Sequence, residues 1–316
     1  MSLRQQLASV DPGRETVLTI GVFDGVHRGH AHLLERLVQR AHPNYLPTVL
    51  TFTNHPISVL RPEVKVGYLT TPQRKESLLR ERGVELVVSL PFTPELARQG
   101  AREFVEALVE NLHIRGLVIG PDFALGHNRQ GDAPLLRQLG AELGFWVESL
   151  EPLLLDGVLI KSRVIRENLI RGEVAGCAQL LGRKFSLSGT VVTGDRRGRQ
   201  LGFPTANLSV PPQMLLPGDG IYATWTYIDG RRLPSATSIG IRPTFNLTER
   251  LVEVYVIDFK GDLYGQELEV EFVSKLRNQE KFDGLDALIQ QINQDVAGSR
   301  LALAHADDTD GGSNGP

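Results

Sequence analysis

The chain has 316 residues, 41% hydrophobic and 22% charged, with a formal net charge of −3. That is enough for two ordinary domains with real cores, and the charge gives no electrostatic reason to expect a nucleic-acid partner. One cysteine, Cys177, excludes an internal disulfide and fits a reducing cytoplasm.

Met1 to Gly13 contains no apolar signal-peptide core, and no apolar run approaches the length of a membrane span. A cytoplasmic protein without a membrane partner is therefore expected. Asn207-Leu-Ser and Asn246-Leu-Thr match glycosylation sequons, which mean nothing without secretion.

The first half alternates strands and helices. Thr16–Ile20 reads as a strand, and Leu33, Leu34, Leu37, Val38 and Ala41 recur at helical spacing. Pro47–Phe52 is a second strand, and Thr71-Pro72 starts a helix with Thr as cap and Pro at its first position. Leu86–Leu90, Leu117–Gly120 and a run beginning at Phe145 are further strands. Helical patterns at Phe104–Leu112 and Leu135–Leu143 separate them. This alternation predicts a parallel sheet covered on both faces, with ligands at the carboxyl ends of its strands.

Gly21-Val-Phe23-Asp24-Gly25-Val-His27-Arg-Gly29-His30 lies at such an end, between a strand and a helix. Free N–H groups and the positive helix end there make an anion site. His27 and His30 share a face if the helix has begun. Taken alone, two histidines at this spacing read first as ordinary solvated residues; a zinc pair is the other reading, but no further zinc ligands are evident.

After about Gly182 strand-like runs follow one another: Leu187–Val192, Thr205–Leu208, Ile221–Ile228, Ser235–Ile239, Val252–Phe259 and Leu268–Val273. Strands without helices predict a sandwich or closed barrel. A final helix carries Leu285, Leu288, Ile289, Ile292 and Val296 on one side, and the Asp/Gly-rich end is expected to be disordered. Thr205 and Asn207 alternate, so both point to one face. Gly218–Ala223 fits a loose dinucleotide pattern but opens a strand, and no Gly-Lys dipeptide exists for a Walker-A loop.

The Gly21–His30 decade resembles the His-x-Gly-His signature of nucleotidyltransferases, in the version carried by the bifunctional riboflavin kinase/FMN adenylyltransferase family. Thr51-Phe-Thr-Asn54-His55-Pro56 is similar to that family's Thr-Phe-x-Pro-His-Pro, with Asn54 in place of a proline. Gly120-Pro-Asp122-Phe123-Ala-Leu125-Gly126 resembles its Gly-x-Asp-Phe-x-Phe-Gly, with Leu125 for an aromatic. Lys161-Ser162-Arg163-Val-Ile-Arg166 stands where the family has Ser-Ser-Thr-x-Ile-Arg, so two hydroxyls become cations. In the second half, Gly189 to Asn207, including Gly194, Asp195, Gly198 and Gly202-Phe203-Pro204-Thr205-Ala206-Asn207, resembles the riboflavin kinase signature. Ile239–Phe245, Glu253-Val-Tyr255, Asp262–Gly265 and Leu276-Arg277 add to it.

The resemblance implies a Rossmann-like nucleotidyltransferase domain over residues 1–182 and a riboflavin-kinase-type β-barrel with a closing helix over 183–304. Residues 305–316 would be a tail. It implies phosphorylation of riboflavin to FMN, then adenylylation of FMN to FAD, with ATP as co-substrate, magnesium as cofactor and the small-molecule substrates riboflavin, FMN and ATP as partners. His27 and His30 would stabilise charge on the triphosphate. Gly21, Phe23, Asp24, Gly25, His55, Asp122 and Phe123 would bind ATP or FMN, while Ser162, Arg166 and Lys161 would hold pyrophosphate. Gly194, Gly198, Gly202, Pro204, Thr205, Asn207 and Arg277 would bind ATP or flavin in the kinase. There Thr205 and Asn207 would hold the metal and Glu253 would act as general base. Two other readings stay open: a riboflavin kinase whose adenylyltransferase half is weak or lost, because of Lys161, Arg163 and Asn54, and a flavin-binding regulatory protein without turnover.

Overall fold

The computed structural model describes residues 1–194, 198, 201–244 and 247–311, with the backbone course alone at 242–244, 247–249 and 309–311. The chain divides into two compact units, Met1–Ser162 and Arg163–Pro316. The sequence reading set the boundary near 182.

In the first unit five parallel strands, β1 (Thr16–Ile20), β2 (Leu46–Phe52), β3 (Leu86–Leu90), β4 (Ile114–Ile119) and β5 (Trp146–Ser149), lie in the order β3-β2-β1-β4-β5. The helices are α1 (Leu3–Leu7), α2 (Arg28–Ala41), α3 (Pro56–Leu60), α4 (Pro72–Arg80), α5 (Pro94–Arg98), α6 (Ala101–Leu112) and α7 (Ala133–Leu143). Alternate strand residues feed two cores. Leu18, Leu50 and Leu117 pack with α1, α6 and α7, whereas Val17, Val49 and Val118 pack with α2 and α4. Both faces are therefore covered, which is why the strands read as unbroken apolar runs. Thr71 caps α4 through its hydroxyl and Pro72 opens it, as the sequence predicts. A short hairpin, β6 (Leu154–Leu155) with β7 (Val158–Leu159), follows β5.

The second unit begins with α8 (Ser162–Arg171), whose first residue belongs to the first unit, and α9 (Val174–Leu181). Val174, Cys177, Leu180 and Leu181 of α9 are buried, and the helix packs on the barrel strands β8 and β13. That packing explains why α9 groups with the barrel. Strands β8 (Phe185–Val192), β9 (Ala206–Ser209), β10 (Gly220–Ile228), β11 (Arg231–Thr244), β12 (Leu247–Val256) and β13 (Glu267–Arg277) close an antiparallel barrel in the order β10-β11-β12-β9-β8-β13. Closure leaves no edge strand open.

The barrel interior is apolar at Leu187, Val254, Val270 and Phe272. It also holds a hydroxyl cluster in which Thr224 meets Ser235 and Thr237 at 2.7 Å each and Thr226 meets Ser235 at 2.8 Å. These buried hydroxyls satisfy one another. The last helix, α10 (Leu285–Gly311), runs past residue 304, where the sequence reading began a tail. Leu303 is buried and Arg300 pairs with Asp258 just before that point, and the Arg232–Asp307 ion pair binds the extension itself to the barrel. Residues 312–316 lie outside the described residues.

Gly116 on β4 leaves no room for a side chain, because an added Cβ would lie 2.1 Å from the Trp146 ring on β5. Gly116→Ala should lower stability by about 1–3 kcal/mol through overpacking. Thermal denaturation followed by tryptophan fluorescence checks this.

Candidate active sites

The Gly21–His30 turn is held in an uncommon backbone. Phe23 (φ 52°), Gly25 (φ 82°) and Val26 (φ 37°) all have positive φ, which a bulky or β-branched residue adopts only under constraint. Burial supplies part of that constraint, since Phe23 and Val26 are each 1% exposed within the α2–α4 core. Asp24 supplies the rest. Its buried carboxylate accepts from the Leu69 N–H at 2.9 Å and the Thr70 N–H at 3.3 Å, and Gly25 N–H donates to the Thr70 hydroxyl at 3.2 Å. Asp24 thus faces inward and sets the turn, where the sequence reading gave it a ligand.

His27 is the N-cap of α2, and its Nδ1 accepts from the His30 N–H at 3.2 Å. An accepting Nδ1 carries no proton, so in the neutral ring the proton sits on Nε2. The His27 and His30 rings stack with centroids 3.6 Å apart and planes 14° apart, and Phe23 lies against His30 at 5.0 Å. A Cβ at Gly29 would come within 3.3 Å of both the His27 ring and the Ile160 carbonyl, so glycine lets the chain following β7 approach the turn. Ser162 completes that approach, its hydroxyl donating to the Asp24 carbonyl at 2.9 Å.

His55 ends the loop after β2 and caps α3, its Nδ1 accepting from the Ile57 N–H at 3.2 Å. Asn54, the residue in place of a proline, exchanges two hydrogen bonds with the backbone of Phe92, at 2.9 and 2.7 Å. The substitution replaces a rigid ring by a side-chain staple. On the loop after β4, Phe123 packs against the α6–α7 core and Leu125 is buried in it. Asp122 is exposed and accepts from Lys161 Nζ at 2.7 Å, which holds its carboxyl below the usual carboxylate range. Arg163 pairs with Glu167 at 2.8 Å. Both departures in the 161–166 segment are therefore engaged by carboxylates. Arg166 lies one turn along α8, beyond the division between the units.

In the second unit a cavity of about 740 Å³ lies on the outer face of β9, β12 and β11. Strand pairing builds its polar side. Glu253 on β12 is directly opposite Asn207 on β9 and Ser238 on β11, so the three side chains share one face. Thr205, two residues before Asn207, joins them in the wall, and Gly198 also lines it. Added Cβ atoms at Gly194 and Gly198 would lie 2.2 Å from the Asn207 amide and 3.3 Å from the Thr205 hydroxyl. Gly194 and Gly198 thus lie close against the two side chains. Gly202 turns the chain at φ 85° and Pro204 is exposed. Asp195 lies outside the described residues, as does Phe245.

Leu251 and Tyr255 from the barrel and Leu288, Ile292 and Val296 from α10 form the apolar side of the cavity. Arg277 also lines it. Its guanidinium makes a two-pronged pair with Asp295 of α10, at 2.8 and 2.7 Å, which raises its pKa further. Arg277 therefore joins the final helix to the end of β13. Cys177 is no candidate nucleophile, since burial pushes its thiol up to about 12.

Sequence reasoning missed Lys75, Asp295 and Ser238. Lys75 had a legible signal: it shares the helical stripe of Leu78 and Leu79, where a cation is out of place. Asp295 and Ser238 carry no local signal, because only barrel closure and the final helix bring them to the cavity.

Asp24→Ala should cost the first unit about 1–3 kcal/mol, because two buried N–H groups lose their acceptor. Faster amide exchange at Leu69 and Thr70 in the variant is the expected signature.

A family model described as FAD synthetase matches residues 10–164, and one described as riboflavin kinase matches 181–303. A bifunctional riboflavin kinase/FMN adenylyltransferase of Pseudomonas fluorescens is 38% identical over 294 residues, covering 92% of this chain and 94% of its own length. The Escherichia coli K12 protein of the same description is 37% identical over 292 residues, covering 92% and 93%. A crystal structure described as a macrolide-efflux protein from Streptococcus pneumoniae matches with a TM-score of 0.87 at 28% identity, covering 95% of this chain and 98% of that one. Among the described residues no helix is long and apolar enough to cross a membrane. Both halves match in order and over nearly their full length, and the chain belongs to the bifunctional riboflavin kinase/FMN adenylyltransferase family.

Proposed function

We propose that this protein makes FMN from riboflavin in its barrel unit and FAD from FMN in its α/β unit, consuming one ATP in each step. The observation that carries the reading is that the family model for each of the two chemistries falls on a different unit, residues 10–164 on the first and 181–303 on the second. The match to both halves of the bifunctional relatives favours it over a kinase alone.

In the barrel unit, Glu253 orients the ribityl 5′-hydroxyl and takes its proton as the oxygen attacks the γ-phosphorus of ATP. The bond to the β-phosphate oxygen breaks, and ADP leaves with the electron pair. The apolar side of the cavity, with Tyr255, Leu288 and Ile292, suits a flat isoalloxazine ring. Magnesium fits the Thr205 hydroxyl and the Asn207 carboxamide oxygen. They are hard donors cradled by glycines, and a Mg²⁺ ion commonly takes few protein ligands beside phosphates and water. When bound, it neutralises charge on the phosphates. Phosphoryl transfer otherwise rests on positioning.

In the α/β unit, a phosphate oxygen of FMN attacks the α-phosphorus of the second ATP, and pyrophosphate leaves. The Nε2–H of His27, the His30 ring and the N–H groups at the start of α2 meet the charge that builds on the triphosphate. Lys161 keeps two ammonium protons beyond its bond to Asp122, so it serves the leaving pyrophosphate. Ser162 ties its segment to the turn.

Incubation with riboflavin, ATP and MgCl₂, resolved by chromatography, should yield FMN and then FAD; absence of both products refutes the reading. His30→Ala should lower FAD formation about 10²–10³-fold and let FMN accumulate. Glu253→Gln should lower FMN formation about 10²–10⁴-fold and leave conversion of supplied FMN to FAD intact. Loss of both steps in either variant would contradict the assignment of separate sites.

A further inference from the structure

Lys75 lies on the second turn of α4 and is 9% exposed. A buried ammonium is stable only when its protons are matched by acceptors. Three acceptors converge on it: the Phe52 carbonyl at 2.7 Å, the Thr51 hydroxyl at 3.1 Å and the Val22 carbonyl at 3.3 Å. Thr51 in turn donates to the Val22 carbonyl at 3.1 Å, which closes a ring of polar contacts. Burial pushes the Lys75 pKa down, and the nearby Asp24 carboxylate opposes that shift.

The acceptors are not arbitrary backbone. Val22 precedes Phe23 and Asp24 in the histidine turn, and Phe52 precedes Thr53, Asn54 and His55 in the loop after β2. The residues leading into the same helix hold the turn a second time, Leu69 and Thr70 donating to Asp24. Helix α4 thus fastens two catalytic loops at the carboxyl ends of neighbouring strands. Lys75 is the one side chain among the described hydrogen bonds that joins both loops directly to this helix.

We propose that Lys75 is a positioning residue for adenylyl transfer, fixing the His27–His30 turn and the His55 loop in mutual register from beneath. This inference rests on the assignment of adenylyl transfer to the α/β unit. Without the ammonium the Val22 and Phe52 carbonyls lose their common donor, and the two loops move independently. Displacement on the scale of an ångström is enough to lower the rate of a preorganised site strongly.

The test measures the single-turnover rate constant for FMN-to-FAD conversion, with saturating enzyme in excess over FMN. That constant does not depend on the fraction of enzyme that is folded. Lys75→Met should lower it about 10–100-fold, while riboflavin phosphorylation and KM for ATP change less than about threefold. Lys75→Arg, which keeps a buried donor, should recover most of the rate. Thr51→Val should add little loss on top of Lys75→Met, because both act through one ring of contacts. A Lys75→Met constant within about twofold of wild type overturns the inference, as does full additivity of Thr51→Val. Absence of FAD from the wild-type protein would instead refute the assignment of function.

Discussion

The first unit depends on one buried carboxylate. Asp24 sits in the middle of a turn whose flanking residues, Phe23 and Val26, have positive φ. It takes the N–H groups of Leu69 and Thr70 and thereby anchors the turn to the entry of α4. That anchoring leaves His27 at the helix start with Nδ1 accepting from the His30 N–H. It also brings Ser162 within 2.9 Å of the Asp24 carbonyl. The backbone cost of the turn is stored locally and offset by burial and hydrogen bonds beneath it.

The second unit solves a similar problem with strand register. Glu253, Asn207 and Ser238 share a face because three antiparallel strands align them, with no need for a strained turn. The opposite wall is a helix, fixed at its cavity end by the Arg277–Asp295 pair. On the proposed reading, one chain meets nucleotide phosphate in two ways. The first uses the N-terminus of a helix, whose N–H groups point at an anion. The second uses two oxygen-bearing side chains with glycines close against them.

Much of this was legible from the residues. Apolar runs and helical spacing located the strands of the parallel sheet and their covering helices, because burial on both faces writes itself into sequence. The barrel strands were legible by their succession without helices. The orientation of Asp24 was not, since a carboxylate in a glycine-rich turn looks the same whether it meets ligand or backbone. The grouping of α9 with the barrel was hidden too, because an amphipathic helix does not reveal which sheet it will cover. The extension of α10 past residue 304 has a distant partner, Arg232, paired with Asp307, that charge composition alone does not connect. Lys161 and Arg163 were legible as added cations, but their carboxylate partners, Asp122 and Glu167, were not.

The central claim is that two independent sites act in succession, with FMN as the product of one and the substrate of the other. Mixing the His30→Ala and Glu253→Gln proteins with riboflavin, ATP and MgCl₂ tests it directly. The account predicts that FAD appears in the mixture although neither variant alone makes it in quantity, because FMN released by the first is adenylylated by the second. A mixture that accumulates FMN without FAD, or makes neither, would contradict the account.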